Sequence, residues 1–267
     1  MIELRVDGHV AEVVLNDPAK LNAMGPWFWD EMPGVFRRID EDLEVRVVVI
    51  RAEGKAFSAG LDLVGMMPRL PIGAKGPDNK RQAKLHQLIR DMQAAVTCVE
   101  RCRVPVIAAV HGYCLGGGVD LITACDIRLA SADAVFSVRE VKMAIVADIG
   151  TLQRLPRVVT PGIARELVLT GRDFDAAYAD KIGLVNRVLP DVEALRGDAL
   201  ATAREIAANA PAAVQGTKQV MNQAVAAETD RGLEYVATWN TAYLISQDLG
   251  RAVQGFVSKT PPEFTGE

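Results

Sequence analysis

The sequence predicts an α/β fold followed by a helical C-terminal region, on three observations. Two continuous apolar runs, RVVVIRA at 46–52 and VPVIAAV at 104–110, have the length and β-branched content of strands covered on both faces. Between them, RQAKLHQLIRDMQAAVTCVERC at 81–102 carries apolar residues at helical spacing. From Asp191 onward the pattern is almost entirely helical, which after an α/β core suggests an appended layer able to pack on another subunit. The expected division is therefore a core over 1–190 and a helical oligomerisation region over 191–267.

Each element follows in order. ELRVDGHVAEVVL reads as a hairpin turned at Asp7-Gly8. NDPAKLNAMGP is a loop before a helix reaching about Asp42, which Pro33-Gly34 should kink or shorten. The first buried strand leads into the glycine-bearing loop GKAFSAGLDL, and MMPRLPIGAKGPDNK at 66–80 is a Pro/Gly-rich surface excursion placed to act as a pocket lid. The second buried strand leads into HGYCLGGGVDL. PGIARELVLTG and FDAAYADKIGLV read as helices with the short strand VNRVL behind them, and three long helical stretches follow, DVEALRGDALATAREIAANA, PAAVQGTKQVMNQAVAA and RGLEYVATWNTAYLISQDLG.

Composition narrows the function classes. With 267 residues the chain can bury a substantial core. A net charge of -4 argues against a general nucleic-acid or anionic-membrane binder, and no apolar stretch approaches a membrane span. Cys98, Cys102, Cys114 and Cys125 lack histidines at zinc spacing, so packed thiols in a reducing cytoplasm are expected and no metal site is. The N-terminus runs straight into strand pattern rather than a signal peptide, and the C-terminus reads FTGE, unlike a Ser-Lys-Leu address. His9, His86 and His111 are too scattered for a metal site and read as surface or loop residues.

The chemistry concentrates in one stretch. Asp120, Glu140 and Asp148 lie among mostly uncharged residues, where a carboxylate is costly unless solvated, paired or used. Asp120 follows Gly116, Gly117 and Gly118, whose lack of Cβ and free N–H groups at a helix start favour negative charge. Both glycine loops follow buried strands, so their amides can meet at one cleft and hold a developing oxyanion. No Walker Gly-Lys-Ser/Thr, no dinucleotide glycine spacing and no Gly-x-Ser-x-Gly elbow is present, so no nucleotide or other cofactor is expected.

KAFSAGLDL, PVIAAVHGYCLGGGVDLITACDIRLAS, GTLQRL, TGRDFDAAYADKIGLVNRV and FVSK together resemble the enoyl-CoA hydratase/isomerase (crotonase) superfamily over essentially the whole chain. The resemblance implies a spiral of ββα units with C-terminal helices that trimerise, a homotrimer or homohexamer, and an acyl-CoA thioester as ligand. It implies that the N–H groups of Leu61 and Gly117 hold the thioester oxygen. It also implies that Lys20 and the strip Ser58, Ala59, Gly60, Asp62 and Leu63, with Gly118, line the CoA site, and that Phe256 and Lys259 reach a neighbouring subunit's ligand. Coenzyme A is then part of the substrate.

Within the superfamily, enoyl-CoA hydratases carry a glutamate where Asp120 stands and a glycine where Asp148 stands. The combination GGGVDLITACDIR, VREV, VADIGTLQRLP and VQGTK…ATWN is similar to the 3,5-dienoyl-CoA to 2,4-dienoyl-CoA isomerases of fatty-acid beta-oxidation, including acid spacings of twenty and eight residues. That reaction removes a proton at carbon 2 and delivers one at carbon 6, a span that one carboxylate cannot readily serve. Glu140 is then the base, Asp148 the acid and Asp120 a tuning or orienting group. Each acid also has a purely structural reading: Asp120 as a complement to the helix dipole, Glu140 as an ion-pair partner of Arg139 or Lys142, and Asp148 as an N-cap. A hydratase or other acyl-CoA lyase is the alternative activity, and a non-catalytic or RNA-binding family member the third.

Overall fold

A computed structural model describes residues 1–71 and 77–267. The first hairpin pairs β1 (Ile2–Asp7) with β2 (Val10–Leu15), and Asp7 lies opposite Val10. Its two-residue turn is therefore Gly8-His9, one residue later than expected, with Gly8 in the left-handed region such turns need. Helix α1 (Pro26–Glu41) continues through Pro33 to Glu41, so the expected shortening does not occur. An interior proline costs about 3 kcal/mol. Against that, Phe28, Trp29, Met32, Val35, Phe36 and Ile39 are all buried on one face, each worth about 1.5–3 kcal/mol.

Three ββα units then build the core. β3 (Val47–Ala52), β4 (Ala56–Ser58), the short α2 (Leu63–Met66) and α3 (Asp78–Arg101) form the first. β5 (Val106–Val110), β6 (Tyr113–Leu115) and α4 (Gly117–Thr123) form the second. β7 (Ile127–Ser131), β8 (Val135–Ser137), α5 (Thr151–Val158) and α6 (Pro161–Thr170) form the third. After β9 (Phe174–Asp175), α7 (Ala176–Lys181) and β10 (Arg187–Leu189) close the core. In each unit the first strand joins a six-stranded sheet, order β1-β2-β3-β5-β7-β10, and the second joins a four-stranded sheet, order β4-β6-β8-β9. Apart from β1 and β9, neighbouring strands are parallel, so successive units wind the same way as a spiral.

The larger sheet is covered on both faces, which explains its unbroken apolar strands. Val48 and Ile50 point into the main core, whereas Val47, Val49, Ile107 and Leu129 pack against α8 (Val192–Ala207). The alanines of α8 at 199, 203 and 207 recur every fourth residue and let the helix sit close on the sheet. The last two expected helical stretches are broken differently than read. PAAVQGTKQVMNQAVAA and the RGLEYVATWNTAY part of the last stretch merge into one 33-residue helix, α9 (Pro211–Tyr243), and α10 (Gln247–Ser258) follows. α9 packs along α3 and α5 of the same chain, and α10 packs on the turn Glu140–Met143. The expected surface excursion contributes a 3-10 turn at Met67–Arg69, and α3 starts at Asp78 rather than Arg81. The lid reading centres on residues 72–76, which lie outside the described residues.

Candidate active site

The two glycine loops meet at the ends of β4 and β6, which lie side by side in the smaller sheet. Gly60 has φ +85, and a Cβ there would stand 2.7 Å from Leu115 O and 3.6 Å from Gly117 N. Only glycine permits both the conformation and the approach. The 17–25 loop latches onto this strip from the other side. Met24 N donates to Gly60 O at 2.7 Å and Asp62 N donates to Met24 O at 3.2 Å, the pattern of a parallel bridge. That pairing turns the Leu61 N–H away from Met24, with no acceptor in the described protein. Gly117 opens α4, so its N–H is also one of the helix's unpaired donors.

Sequence reasoning passed over the residue that holds the loop. Asn22, fully buried at φ 53, donates to Glu53 O and Ala56 O at 2.8 and 2.7 Å and accepts from Asp17 N at 2.7 Å. Asparagine's tolerance of left-handed backbone was the available signal. Ser58 is buried behind the strip, donating to Asn22 O and accepting from Gly60 N, and Gly118 is buried against Cys114 and Ser58. These two shape the loops from within. Ala59, Leu61, Asp62 and Leu63 keep partial access to solvent. The exposed Lys20 pairs with Asp62 at 3.0 Å, and Asp62 also caps α2 through Gly65 N at 2.8 Å. Burial opposes ionisation of Asp62, but Gly65 and Lys20 together hold its carboxyl below the usual range. Phe256 and Lys259 lie at the exposed end of α10, and no hydrogen bond ties them to the acids.

The three acids come together on different elements. Asp120, 1 % exposed, reaches from α4 to accept from Thr151 N at 2.6 Å, at the start of α5. Glu140 begins its 3-10 turn with Oε1 against the glycine loop, 3.4 Å from where a Cβ on Gly116 would stand. Its Oε2 is buried without a hydrogen-bond partner. Asp148 accepts from Asn240 Nδ2 at 2.7 Å. Glu140 and Asp148 retain partial access where Asp120 does not.

The structural readings of Glu140 and Asp148 do not hold, whereas Asp120 does lie in the first turn of α4, where its charge complements the helix dipole. Arg139 pairs with Asp173, not Glu140. Gly150, not Asp148, is the N-cap of α5, and the carboxylate meeting that helix start is Asp120. The turn is braced by the buried Arg154, which pairs with Glu100 at 2.8 Å and donates to Ile149 O.

Electrostatics follow from this layout. Burial pushes Glu140 up to about 8, aided by the nearby Asp120 and Asp148. Burial pushes Asp148 up to about 7, with Asn240 opposing and Asp120 adding to the rise. Asp120 is also raised by burial, against hydrogen bonding from Thr151 and the more distant Arg154 charge. Such a cluster holds and releases protons near neutrality beside two unpaired backbone donors. A cavity of 440 Å³ opens between the end of α3 and α9, and one of 530 Å³ between α1, α3 and α9; none of the three acids lines them.

The family model for enoyl-CoA hydratase/isomerase matches residues 5–267. The chain belongs to the enoyl-CoA hydratase/isomerase family. It is 43% identical over 265 residues to a peroxisomal Delta(3,5)-Delta(2,4)-dienoyl-CoA isomerase of Arabidopsis thaliana, covering 99% of this chain and 95% of that protein. It is 46% identical over 248 residues to the human mitochondrial enzyme of the same name, covering 92% and 75%. A probable enoyl-CoA hydratase of Mycobacterium tuberculosis is 32% identical over 259 residues, covering 97% and 95%. Among solved structures, an enoyl-CoA hydratase/isomerase from Xanthobacter autotrophicus Py2 superposes with TM-score 0.82 at 30% identity, covering 97% and 98%. The family's fold is thus the spiral of ββα units described above.

One expectation is overturned. The dienoyl-CoA isomerases to which this chain is similar are named peroxisomal or mitochondrial, not cytoplasmic. The free cysteines never bore on the question: burial pushes the thiols of Cys98, Cys102 and Cys125 up to about 12, which leaves them inert in any compartment.

Proposed function

We propose that this protein isomerises 3,5-dienoyl-CoA thioesters to 2,4-dienoyl-CoA, a step of fatty-acid beta-oxidation. The observation that carries the proposal is the buried trio itself: three carboxyls with raised proton affinity and, among the described residues, no ion pair to a cation. The N–H groups of Leu61 and Gly117 receive the thioester oxygen and favour the enolate. Glu140 in its ionised form, the minor one near neutrality, takes a proton from carbon 2, and that C–H electron pair becomes the new bond between carbons 2 and 3. The pair between carbons 3 and 4 moves to carbons 4 and 5. The pair between carbons 5 and 6 then takes the proton of Asp148. Loss of the Glu140 proton to solvent and uptake of one by Asp148 resets the site. Asp120 holds the α5 turn and, through its charge, keeps its neighbours protonatable.

Coenzyme A enters as part of the substrate, with Lys20 as a point charge for its phosphates and the 58–63 strip along its length. The similarity to a probable enoyl-CoA hydratase favours one second reading, in which Glu140 activates water. Turnover of 3,5-dienoyl-CoA and of a 2-enoyl-CoA by the purified protein separates them. Conjugated-diene absorbance should appear with the first substrate. Rapid hydration of the second with the dienoyl substrate unchanged refutes the isomerase.

A further inference from the structure

Asp148 is held by two amides from distant parts of the chain. Gln93, 2 % exposed on α3, donates to its main-chain oxygen at 2.7 Å and to Leu233 O at 2.9 Å. Asn240, 1 % exposed on α9, donates to its carboxylate Oδ2 at 2.7 Å and to Val146 O at 2.8 Å. Among the described residues no other side chain donates to that carboxyl. An asparagine buried this completely in a helix interior is unfavourable unless its amide is used. Here both of its contacts fall on the 146–148 segment.

We propose that Asn240 is the positioning residue of the proton donor: its amide fixes the Asp148 carboxyl and stabilises the carboxylate left when the proton reaches carbon 6. The C-terminal helix α9 is then part of the site, not only a packing layer. The assigned step rests on the isomerase reading above, but the hydrogen bond does not.

The charged groups around Asp148 leave this role to Asn240. Asp120 from α4 and Glu140 from its 3-10 turn both oppose ionisation of Asp148. Arg154 from α5 is engaged with Glu100 and Ile149 O. On the outer side of α3 and α9, His86 and Arg90 are taken up by Glu234. The Asn240 amide is therefore the side chain that favours the ionised form, beside the main-chain N–H of Asp148 itself and against the burial that raises its proton affinity.

The test is a carbon-13 titration of aspartate carboxyls in the full-length protein without ligand, with Asp148 assigned by its loss in Asp148→Asn. Removing a hydrogen bond to a charged group should move the Asp148 titration upward by roughly one to two pH units in Asn240→Leu. Turnover of 3,5-dienoyl-CoA should fall by on the order of ten- to a hundredfold with KM little changed. Gln93→Leu cuts the ties to Asp148 O and Leu233 O while sparing the carboxylate's bond to Asn240, and should leave the Asp148 titration in place, which a general loosening of the loop would not. Asn240→Ser, too short to reach the carboxylate, should repeat the shift and serves if the leucine variant does not fold. An unmoved Asp148 titration in a folded Asn240 variant overturns the proposal, as does a shifted titration with wild-type turnover. If the wild-type protein leaves dienoyl-CoA unchanged, the isomerase reading fails separately, and the titration still decides the hydrogen bond.

Discussion

Glu140 illustrates how burial, with two acids close by, raises the proton affinity of a carboxyl. Its Oε2 has no partner, and its neighbours Asp120 and Asp148 are acids, so the neutral form is favoured up to about pH 8. This has a cost in stability whose sign is fixed. Between the ordinary glutamate range and pH 8 the folded protein keeps a proton that the unfolded chain releases, so stability declines as pH rises through that window. Asp148 adds a decline ending near pH 7. Glu140→Gln removes the first contribution. Its melting temperature should exceed the wild-type value by a few degrees at pH 9 and by much less at pH 5. Equal differences at both pH values would mean that Glu140 is already ionised in the folded state. The acids were legible in the sequence as charges without partners. Asn22, Gln93 and Asn240 were not, because a single amide shows its use only when its hydrogen-bond partners, up to 140 residues away, are known.

At the scale of elements, the site depends on the contact between the β4–α2 and β6–α4 loops. Gly60→Ala places a Cβ 2.7 Å from Leu115 O at φ +85, which combines backbone strain and overpacking of about 1–3 kcal/mol each. Because relief requires the loops to part, the Leu61 and Gly117 N–H groups should lose alignment. Turnover should drop by on the order of a hundred- to a thousandfold, the usual loss of an oxyanion donor. A folded Gly60→Ala protein with full activity would show that the two N–H groups need no alignment. Strands, the hairpin and most helices could be read from periodicity, because apolar residues recur at the spacing of the faces they bury. Pro33 and the fused α9 could not. In both cases tertiary burial overrides a local signal, as the buried face of α1 and the packing of α9 on α3 show.

For the whole molecule, α9 and α10 present an unusual amount of apolar surface. Val220 and Met221 are 73 and 69 % exposed, Trp239 lies against Tyr243 on the same helix with their rings tilted, and Phe256 and Val257 are exposed on α10. Surface of this kind is expected to be covered by further copies of the chain. Light scattering should give the mass of three or six chains, and a stable single-chain mass at micromolar concentration would refute the assembly. The helical region expected over 191–267 is tied to the 1–190 core by polar contacts. Lys218 on α9 pairs with Asp126, Asn222 donates to Glu100 O, and Asn240 reaches Asp148. A boundary drawn from helix content alone cannot see such ties, since they join polar residues far apart in sequence.

The central claim is a proton removed at carbon 2 and another delivered at carbon 6 by separate carboxyls. Isotope position in the product tests it most directly. In heavy water the wild-type protein should convert 3,5-dienoyl-CoA to 2,4-dienoyl-CoA bearing deuterium at carbon 6. Asp148→Asn should still exchange the carbon 2 proton of recovered substrate, with delivery at carbon 6 slowed by on the order of 100- to 10,000-fold. A hydrated product without label at carbon 6, or unimpaired carbon 6 labelling by Asp148→Asn, would contradict it.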